Sequence, residues 1–410
     1  MPTIDFYSAL DTVVACARTM DSEQISIVNA TRRVLSESVY TPMDMPPFRK
    51  SAVDGYACRS DDVRDNNKGL LVLETIAAGA VPTQVVVQGT CSKIMTGAPV
   101  PNGADMVMML EDSFQEGDLV FSDHAFKGAF KTNIAARGED FEKDEEVLPK
   151  GTLLLPQHIA LLAACGMSTL HVYKRIHVGI ISTGDELREP RDGSVLPFGK
   201  IYNSNAWQLV SLMAVYGAIP AYYGIARDTT ERTLELLEKA LRENDVVLLS
   251  GGVSEGDYDF VPKAMAQLGF EIQFDRISVK PGKPTTFATR DITEGGKTRR
   301  QYIFGLPGNP VSTYAQCVLL VHPLLASMQY IEKHTKTVDL PICVKYKRHH
   351  TSRMLYLPAH IRSNGTWIPL EYHGSGHISA LTQADALARI PQGKAELDKG
   401  DIATLIIIPR

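Results

Sequence analysis

The chain is poor in the signatures that mark common enzyme classes. Its six cysteines, Cys16, Cys58, Cys91, Cys165, Cys317 and Cys343, are scattered and form no CxxC pair. That argues against structural zinc, and a reducing cytoplasm is the simplest setting. The eleven histidines never fall at metal or triad spacing. There is no GxSxG, no Walker loop and no GxGxxG at a strand–helix junction, so nothing supports a serine hydrolase, a P-loop enzyme or a dinucleotide-binding domain. No apolar run approaches the roughly 18 residues of a membrane span. Asp5, Asp11 and Arg18 interrupt the apolar pattern of residues 3–20, so no secretory signal is expected. Basic charge is not in excess either: 42 Lys and Arg against 47 Asp and Glu leave a formal charge of −5. This argues against nucleic acid or an acidic membrane as the main partner. Trp207 and Trp367, the two tryptophans, read as packing residues, and His349-His350 as a solvated turn.

What is present is ample core. At 410 residues and 44% hydrophobic content, two to four globular domains are expected. An amphipathic helix and a short extended segment occupy residues 3–40, and the prolines of PMDMPPFRK mark a boundary. Short strands separated by turns follow to about residue 145, a small β-rich domain. LPKGTLLLPQHIALLAACG reads as a helix over 148–166, followed by the strand HVYK. From 176 to 330, apolar strands (IHVGIIST, PAYYGIA, DVVLLS, FDRISVK, QYIFGLP) alternate with helices, which predicts a doubly wound, mostly parallel sheet with helices on both faces. Residues 331–410 read as a small β-barrel or sandwich.

The richest segment is VVLLSGGVSEGDYDF, residues 246–260. A buried strand runs into Ser250-Gly251-Gly252, then Ser254, Glu255, Asp257 and Asp259. In parallel α/β sheets ligands bind beyond the carboxyl ends of the strands. Glycines there turn backbone N–H groups toward an anion, and adjacent carboxylates suit a bridging Mg²⁺. The plain alternative is a strand-end turn with solvated acids. Three more loops share this edge: STGDEL with Glu186, GIARD with Asp228, and FGLPGNPVS with Pro307, Pro310 and Ser312. Glu186, Asp228 and Asp259 are the metal candidates; their alternative is a set of helix caps. VKPGKP holds Lys280 and Lys283 on a proline-stiffened loop suited to a dianionic oxyanion, or is a basic surface turn. FGLPGNPVS opens a helix whose amides suit an anion, or simply starts that helix. Asp54 in RKSAVDGYA, Thr96 in IMTGAPVPNGADMV and Asp140 in RGEDF are, taken singly, ordinary turn residues.

Taken together and in order, SAVDGYA, IMTGAPVP, RGED, STGDEL, NSN, SGGVSEGDYD, KPGKP and GLPGNPVS closely resemble the molybdopterin molybdenumtransferases, whose animal form is the E domain of gephyrin. The resemblance covers essentially the whole chain. It implies that molybdate and adenylylated molybdopterin are converted, with Mg²⁺, to molybdenum cofactor and AMP. It implies functional roles for Asp54, Thr96, Asp140, Glu186, Asp228, Asp259, Lys280, Lys283, Pro307 and Pro310, with Arg353 matching an arginine implicated in molybdate binding and Ser312 and Ser375 lining the same cleft. The family fold is a homodimer of four-domain chains. Here the domains would be a discontinuous one at 1–46 and 145–175, the β-rich 47–144, the α/β 176–330 and the C-terminal 331–410. Each active site would join the α/β domain of one protomer to the β-rich domain of the other, which gives Asp54 and Thr96 their role. Upstream and downstream proteins of molybdenum-cofactor synthesis would be further partners.

The chain departs from the family pattern at three places. SAVDGY replaces SAMDGY, Ser254-Glu255-Gly256 replaces SVG, and KRHHTSR lacks the glycine, acid and aromatic that precede the family's last arginine. The competing readings are an adenylyltransferase on a similar α/β domain, a paralogue kept as a scaffold, and a tungstate-preferring enzyme.

Overall fold

The computed structural model describes residues 2–64, 68–123, 131–190, 195–252, 260–331 and 335–409. Ser254, Glu255, Asp257 and Asp259 therefore lie outside the described residues. The chain divides into two compact units. One comprises Met1–Ser36, Gly151–Leu155 and Thr169–Arg410; the other comprises Glu37–Lys150 and Pro156–Ser168.

The first unit is built on a six-stranded sheet. We label its strands β1 (His177–Thr183), β2 (Ile219–Ala226), β3 (Val246–Ser250), β4 (Glu271–Phe274), β5 (Thr286–Glu294) and β6 (Lys297–Leu306). Their spatial order is β2-β1-β3-β6-β5-β4. The first four in that order are parallel; β5 alone is reversed, pairing antiparallel with β6 on one side and with the edge strand β4 on the other. Alternate side chains of one strand bury in opposite layers, as a sheet covered on both faces requires. Val246 and Leu248 enter one core with Val178, Ile180, Leu209 and Met213. Val247 and Leu249 enter the other with Ile181, Leu237, Ala240 and Met265. The helices supplying these layers are α1 (Ser204–Val215), α2 (Thr230–Glu243), α3 (Phe260–Gln267) and α4 (Pro310–Gln316). The amino-terminal helix Phe6–Cys16 adds Phe6, Ala9 and Val13 to the first layer.

Three expected elements differ. The strand read at QYIFGLP begins earlier, at Lys297, because Gly295 and Gly296 take left-handed φ values of 58° and 78° and close a hairpin with β5. The strand read at FDRISVK is two pieces: Glu271–Phe274 stays in the central sheet, while Val279–Lys280 pairs with Met354–Leu355 of the carboxyl-terminal sheet. The helix read over 148–166 is confined to Pro156–Ala164. Proline suits the first turn of a helix, and residues 151–155 instead pair with the chain at Arg33–Leu35.

The helical run Pro310–Met328 is long and apolar enough to cross a membrane by composition, but 89% of its apolar window is buried within the fold. Pro323 lacks an N–H, and the preceding Cys317–Val321 stretch widens to π-helical bonding. The carboxyl-terminal strands order as Val279–Lys280, Met354–Ile361, Ala386–Ile390, Ile402–Ile407 and Thr337–Pro341. They close over a core centred on the fully buried Trp367. Trp207 differs from that packing role: it is 48% exposed and lies against the Tyr222 ring.

The second unit carries its own six-stranded sheet. In spatial order its strands are Met106–Met109, Gly55–Cys58, Thr90–Ile94, Leu70–Ile76, Leu119–Ser122 and Ser113–Glu116. Separate cores cover its faces, one around Tyr56, Met106 and Met108 and one around Ile76, Ile94 and Val107.

Candidate functional site

The carboxyl ends of β1, β2, β3 and β6 open into one cleft of about 580 Å³. Ser250, Gly251 and Gly252 form one wall, and Pro307, Gly308, Asn309 and Pro310 another. Glu186 and Asp228 line the same space. The structure thus brings seven of the sequence-derived candidates together.

Close packing at the strand ends fixes this wall. Gly251 has φ 92°, and a Cβ there would lie 2.7 Å from both the carbonyl oxygen and Oγ1 of Thr183. A Cβ on Gly308 would stand in ordinary contact with the Gly251 Cα, at 3.7 Å. The left-handed φ and the Thr183 oxygens are what require glycine at Gly251. At Gly184 a Cβ would lie 2.5 Å from Glu186 Oε2, so the carboxylate folds back over the glycine. The backbone N–H of Asp185 donates to Asp228 Oδ2 at 3.1 Å, tying the β1 and β2 loops together. Asp185 itself pairs with Arg227 at 3.4 Å, on the exposed rim.

Beneath the cleft runs a hydrogen-bonded chain that reasoning from the sequence did not single out. Ser250 and Ser182 hydroxyls are 3.2 Å apart, and Ser182 donates to Asn203 Oδ1 at 2.9 Å. That oxygen also caps α1 by accepting from Ala206 N–H. Asn203 Nδ2 donates to the Tyr222 hydroxyl at 2.8 Å, and Tyr222 donates to Glu189 at 2.5 Å. Burial first, and Glu189 second, push the Tyr222 phenol well above its usual range, so it remains a donor. Asn205, 8% exposed, donates to Gly308 O at 2.7 Å, and its Oδ1 has no hydrogen-bond partner among the described residues. Thr313 donates to the carbonyls of Pro307 and Asn309 and so fixes the turn before α4. The signal for Asn203 and Asn205 was visible in NSN before a helix, a pattern that reads first as a cap.

The remaining candidates of this unit lie around the cleft. Ser312 is buried in the first turn of α4. Asn309 Nδ2 donates to Ser375 Oγ at 2.7 Å, and Val311 N–H to Ser375 O at 3.1 Å, which brings Gly376 and Ile378 to the cleft. The KPGKP turn divides its residues. Pro284 lines the cleft, whereas Lys280 lines a neighbouring hollow with Lys347, Arg348, His350 and His373. Lys283, half-exposed, lines neither hollow; its carbonyl accepts from Ile277 and Thr285. Gln316 Nε2 braces this turn by donating to Pro281 O at 2.9 Å. Arg353 donates to Val279 O at 3.3 Å, next to Lys280. His349 and His350 are exposed, as a solvated turn requires.

In the second unit Asp54 and Thr96 meet directly. Thr96 donates to Asp54 Oδ1 through its backbone N–H at 2.7 Å and its hydroxyl at 2.8 Å. These bonds, the backbone one first, hold the Asp54 carboxyl below the usual aspartate range. Gly55, which opens the strand Gly55–Cys58, lets that strand close on its neighbour, since a Cβ there would lie 2.0 Å from Met108 O. Asp140 sits apart on an exposed turn, its N–H bonded to Met45 O.

A hard-oxygen donor set in the cleft fits Mg²⁺. Glu186 and Asp228 supply two carboxylates, and Mg²⁺ is usually held by one or two carboxylates, water and substrate phosphate rather than a full protein cage.

The fold and the cleft define a multidomain α/β protein with a cleft of glycine-rich turns and carboxylates at the carboxyl edge of its sheet. Comparison with known proteins places it further. Residues 4–166 match the model of the MoeA N-terminal region (domain I and II), residues 179–327 the probable molybdopterin binding domain, and residues 346–408 the MoeA C-terminal region (domain IV). The chain is 32% identical over 397 residues to a molybdopterin molybdenumtransferase of Staphylococcus epidermidis, covering 93% of this chain and 90% of the relative. It is 30% identical over 406 residues to that of Staphylococcus aureus, covering 97% and 94%. A solved molybdopterin biosynthesis MoeA protein from Pyrococcus horikoshii OT3 superposes with a TM-score of 0.84 at 30% identity, over 99% of this chain and 100% of that one. The chain belongs to the molybdopterin molybdenumtransferase family, and is a transferase of molybdenum-cofactor biosynthesis.

Proposed function

We propose that the chain inserts molybdate into adenylylated molybdopterin and releases AMP. The observation that carries this reading is the cleft itself, where a glycine-rich strand end, a helix opening and two carboxylates converge. The backbone N–H of Gly252 and that of Ser312 in the first turn of α4 suit the pyrophosphate of the substrate, while Gly251 N–H is bonded to Leu306 O and Val311 N–H to Ser375 O. Glu186 and Asp228, with Asp259, would hold Mg²⁺, which screens phosphate charge when bound. Ser250, Pro307 and Pro310 shape the substrate wall, and the family resemblance assigns Ser254 and Ser312 to the same substrate. Lys280, Lys283, Arg353 and Ser375 serve the oxyanion, whose double charge suits fixed cations. Water adds to the pyrophosphate phosphorus as its P–O bond breaks, and AMP departs beside the dithiolene that takes the metal.

The protein acts as a cytoplasmic homodimer of four-domain chains, with Asp54, Thr96 and Asp140 serving the site of the other protomer. Family relatives named as transferases, and the acids and lysines kept in this chain, favour catalysis over a scaffold role. The test is AMP release from adenylylated molybdopterin with and without molybdate. Wild type should require molybdate, and Asp228→Ala and Lys283→Ala should lose activity. Variants equal to wild type would refute the site; adenylylation of molybdopterin from ATP would refute the reaction.

A further inference from the structure

A second hollow of the first unit lies at the opposite end of the same sheet. It measures about 1000 Å³ and gathers the amino ends of the strands, with His177 of β1, Ile219 of β2, Asp245 before β3 and Arg299 of β6 on its wall. At about 3.3 Å per residue, seven-residue β1 separates it from the cleft by about 20 Å. Pockets that hold small organic ligands usually enclose about 300–1,000 Å³.

Its charge is opposite to that of the molecule. Seven lysine and arginine side chains line it against three carboxylates, on a chain whose formal charge is −5. The internal pairing is incomplete. Asp291, from β5, is shared between Arg18 at 2.9 Å and Arg300 at 2.8 Å. Lys174 reaches Asp21 only at 3.8 Å. Arg175 and Lys297 are exposed, and no ion pair to them occurs among the described residues. Arg33 is 7% exposed; it bonds Glu23 and Tyr173 O, yet its Nε has no hydrogen-bond partner among the described residues. Concentrating like charge in a concave wall raises the local potential and is unfavourable without a counter-ion. The hollow also has apolar wall: Val28 is 84% exposed there and Ile219 38%, beside Met20 and Met328.

We propose that this hollow is a second ligand site, separate from the cleft, for a nucleotide carrying two or more phosphates. The phosphates sit among Arg175, Lys297 and Arg299, and Arg33 faces them from the buried side. The base lies on Val28, Ile219 and Met20. An inorganic anion would use the cations and leave the apolar wall unused.

The test is ADP binding to the full-length protein without Mg²⁺, read by the fluorescence of an indole introduced by Val28→Trp. ADP should change this signal, and inorganic pyrophosphate should bind more weakly. On the same background, Arg175→Glu with Lys297→Glu should weaken ADP binding at least about tenfold, while Asp228→Ala leaves it intact. Both charge reversals fall on exposed side chains, and an unchanged unfolding temperature will confirm that they fold. Lys297→Gln gives an intermediate loss without a charge reversal. An ADP response absent at millimolar concentration, unaffected by the reversals, or abolished by Asp228→Ala would overturn the proposal.

Discussion

Substitution of Gly251 by alanine tests the geometry of the cleft wall. Two costs are predicted. A left-handed φ costs an L-residue about 1–2 kcal/mol. The added methyl would also stand 2.7 Å from a Thr183 backbone oxygen that cannot rotate away, and overpacking of this kind costs about 1–3 kcal/mol. Gly393→Ala is the control, since Gly393 has φ 82° and open space where a Cβ would go. It should pay the first cost alone. The difference between the two variants, about 1–3 kcal/mol, isolates the close approach of the β3 loop to the end of β1. Scanning calorimetry reads it as a shift of about 2–4 °C per kcal/mol for a unit of this size. Gly251→Ala should also reduce AMP release at saturating substrate, because the methyl displaces the wall that faces Gly308. Equal shifts for the two variants, with unchanged activity, would refute the reasoning.

Three further predictions follow from the local chemistry. Removing the Thr96 hydroxyl with Thr96→Val leaves only the backbone N–H on Asp54, so the Asp54 carboxyl should rise toward the ordinary aspartate value, as a pH titration by NMR will show. Because the folded-state value is depressed, the stabilisation from this contact is complete above the unfolded aspartate value, about pH 4, and is lost as pH falls through the folded one; the variant should lose less stability than wild type on acidification. Ser182→Ala breaks the buried chain from Ser250 to Asn203 and should cost about 1–3 kcal/mol in urea unfolding, with KM altered more than the fold. Mixing inactive Asp54→Ala and Asp228→Ala chains should restore activity to about a quarter of wild type if each protomer completes its partner's site; no restoration would place both residues in the service of one protomer's own site.

Much of the architecture was legible because the strands of the central sheet are continuous apolar runs, as full burial on both faces demands. VVLLS, buried at every position, is the plainest case. The β5–β6 hairpin was not legible, since TRDITEGGKTRRQ is polar where the strands project beyond the core, and the polar run masks strand periodicity. The short helix at Pro156–Ala164 was overextended because LLLP continues its apolar pattern while pairing elsewhere. In the site, strand-end acids and glycines could be read singly, but Ser182 and Tyr222 could not. Each is one ordinary residue inside a strand, and only the register of β1 against β2 and β3 brings them to Asn203 and Ser250. The separation of Lys280 from the cleft was likewise hidden, because it follows from Val279–Lys280 leaving the central sheet to pair with Met354–Leu355.

The central claim is that one cleft couples loss of AMP to metal insertion. The most direct measurement is a single turnover with enzyme, adenylylated molybdopterin, molybdate and Mg²⁺ at equal concentrations, counting AMP released and molybdenum bound to the pterin. Wild type should give the two in equal amounts. Asp228→Ala should lose both together, and the Arg175→Glu, Lys297→Glu variant should retain both. AMP released without molybdenum bound, or an Asp228→Ala variant that matches wild type, would contradict the account.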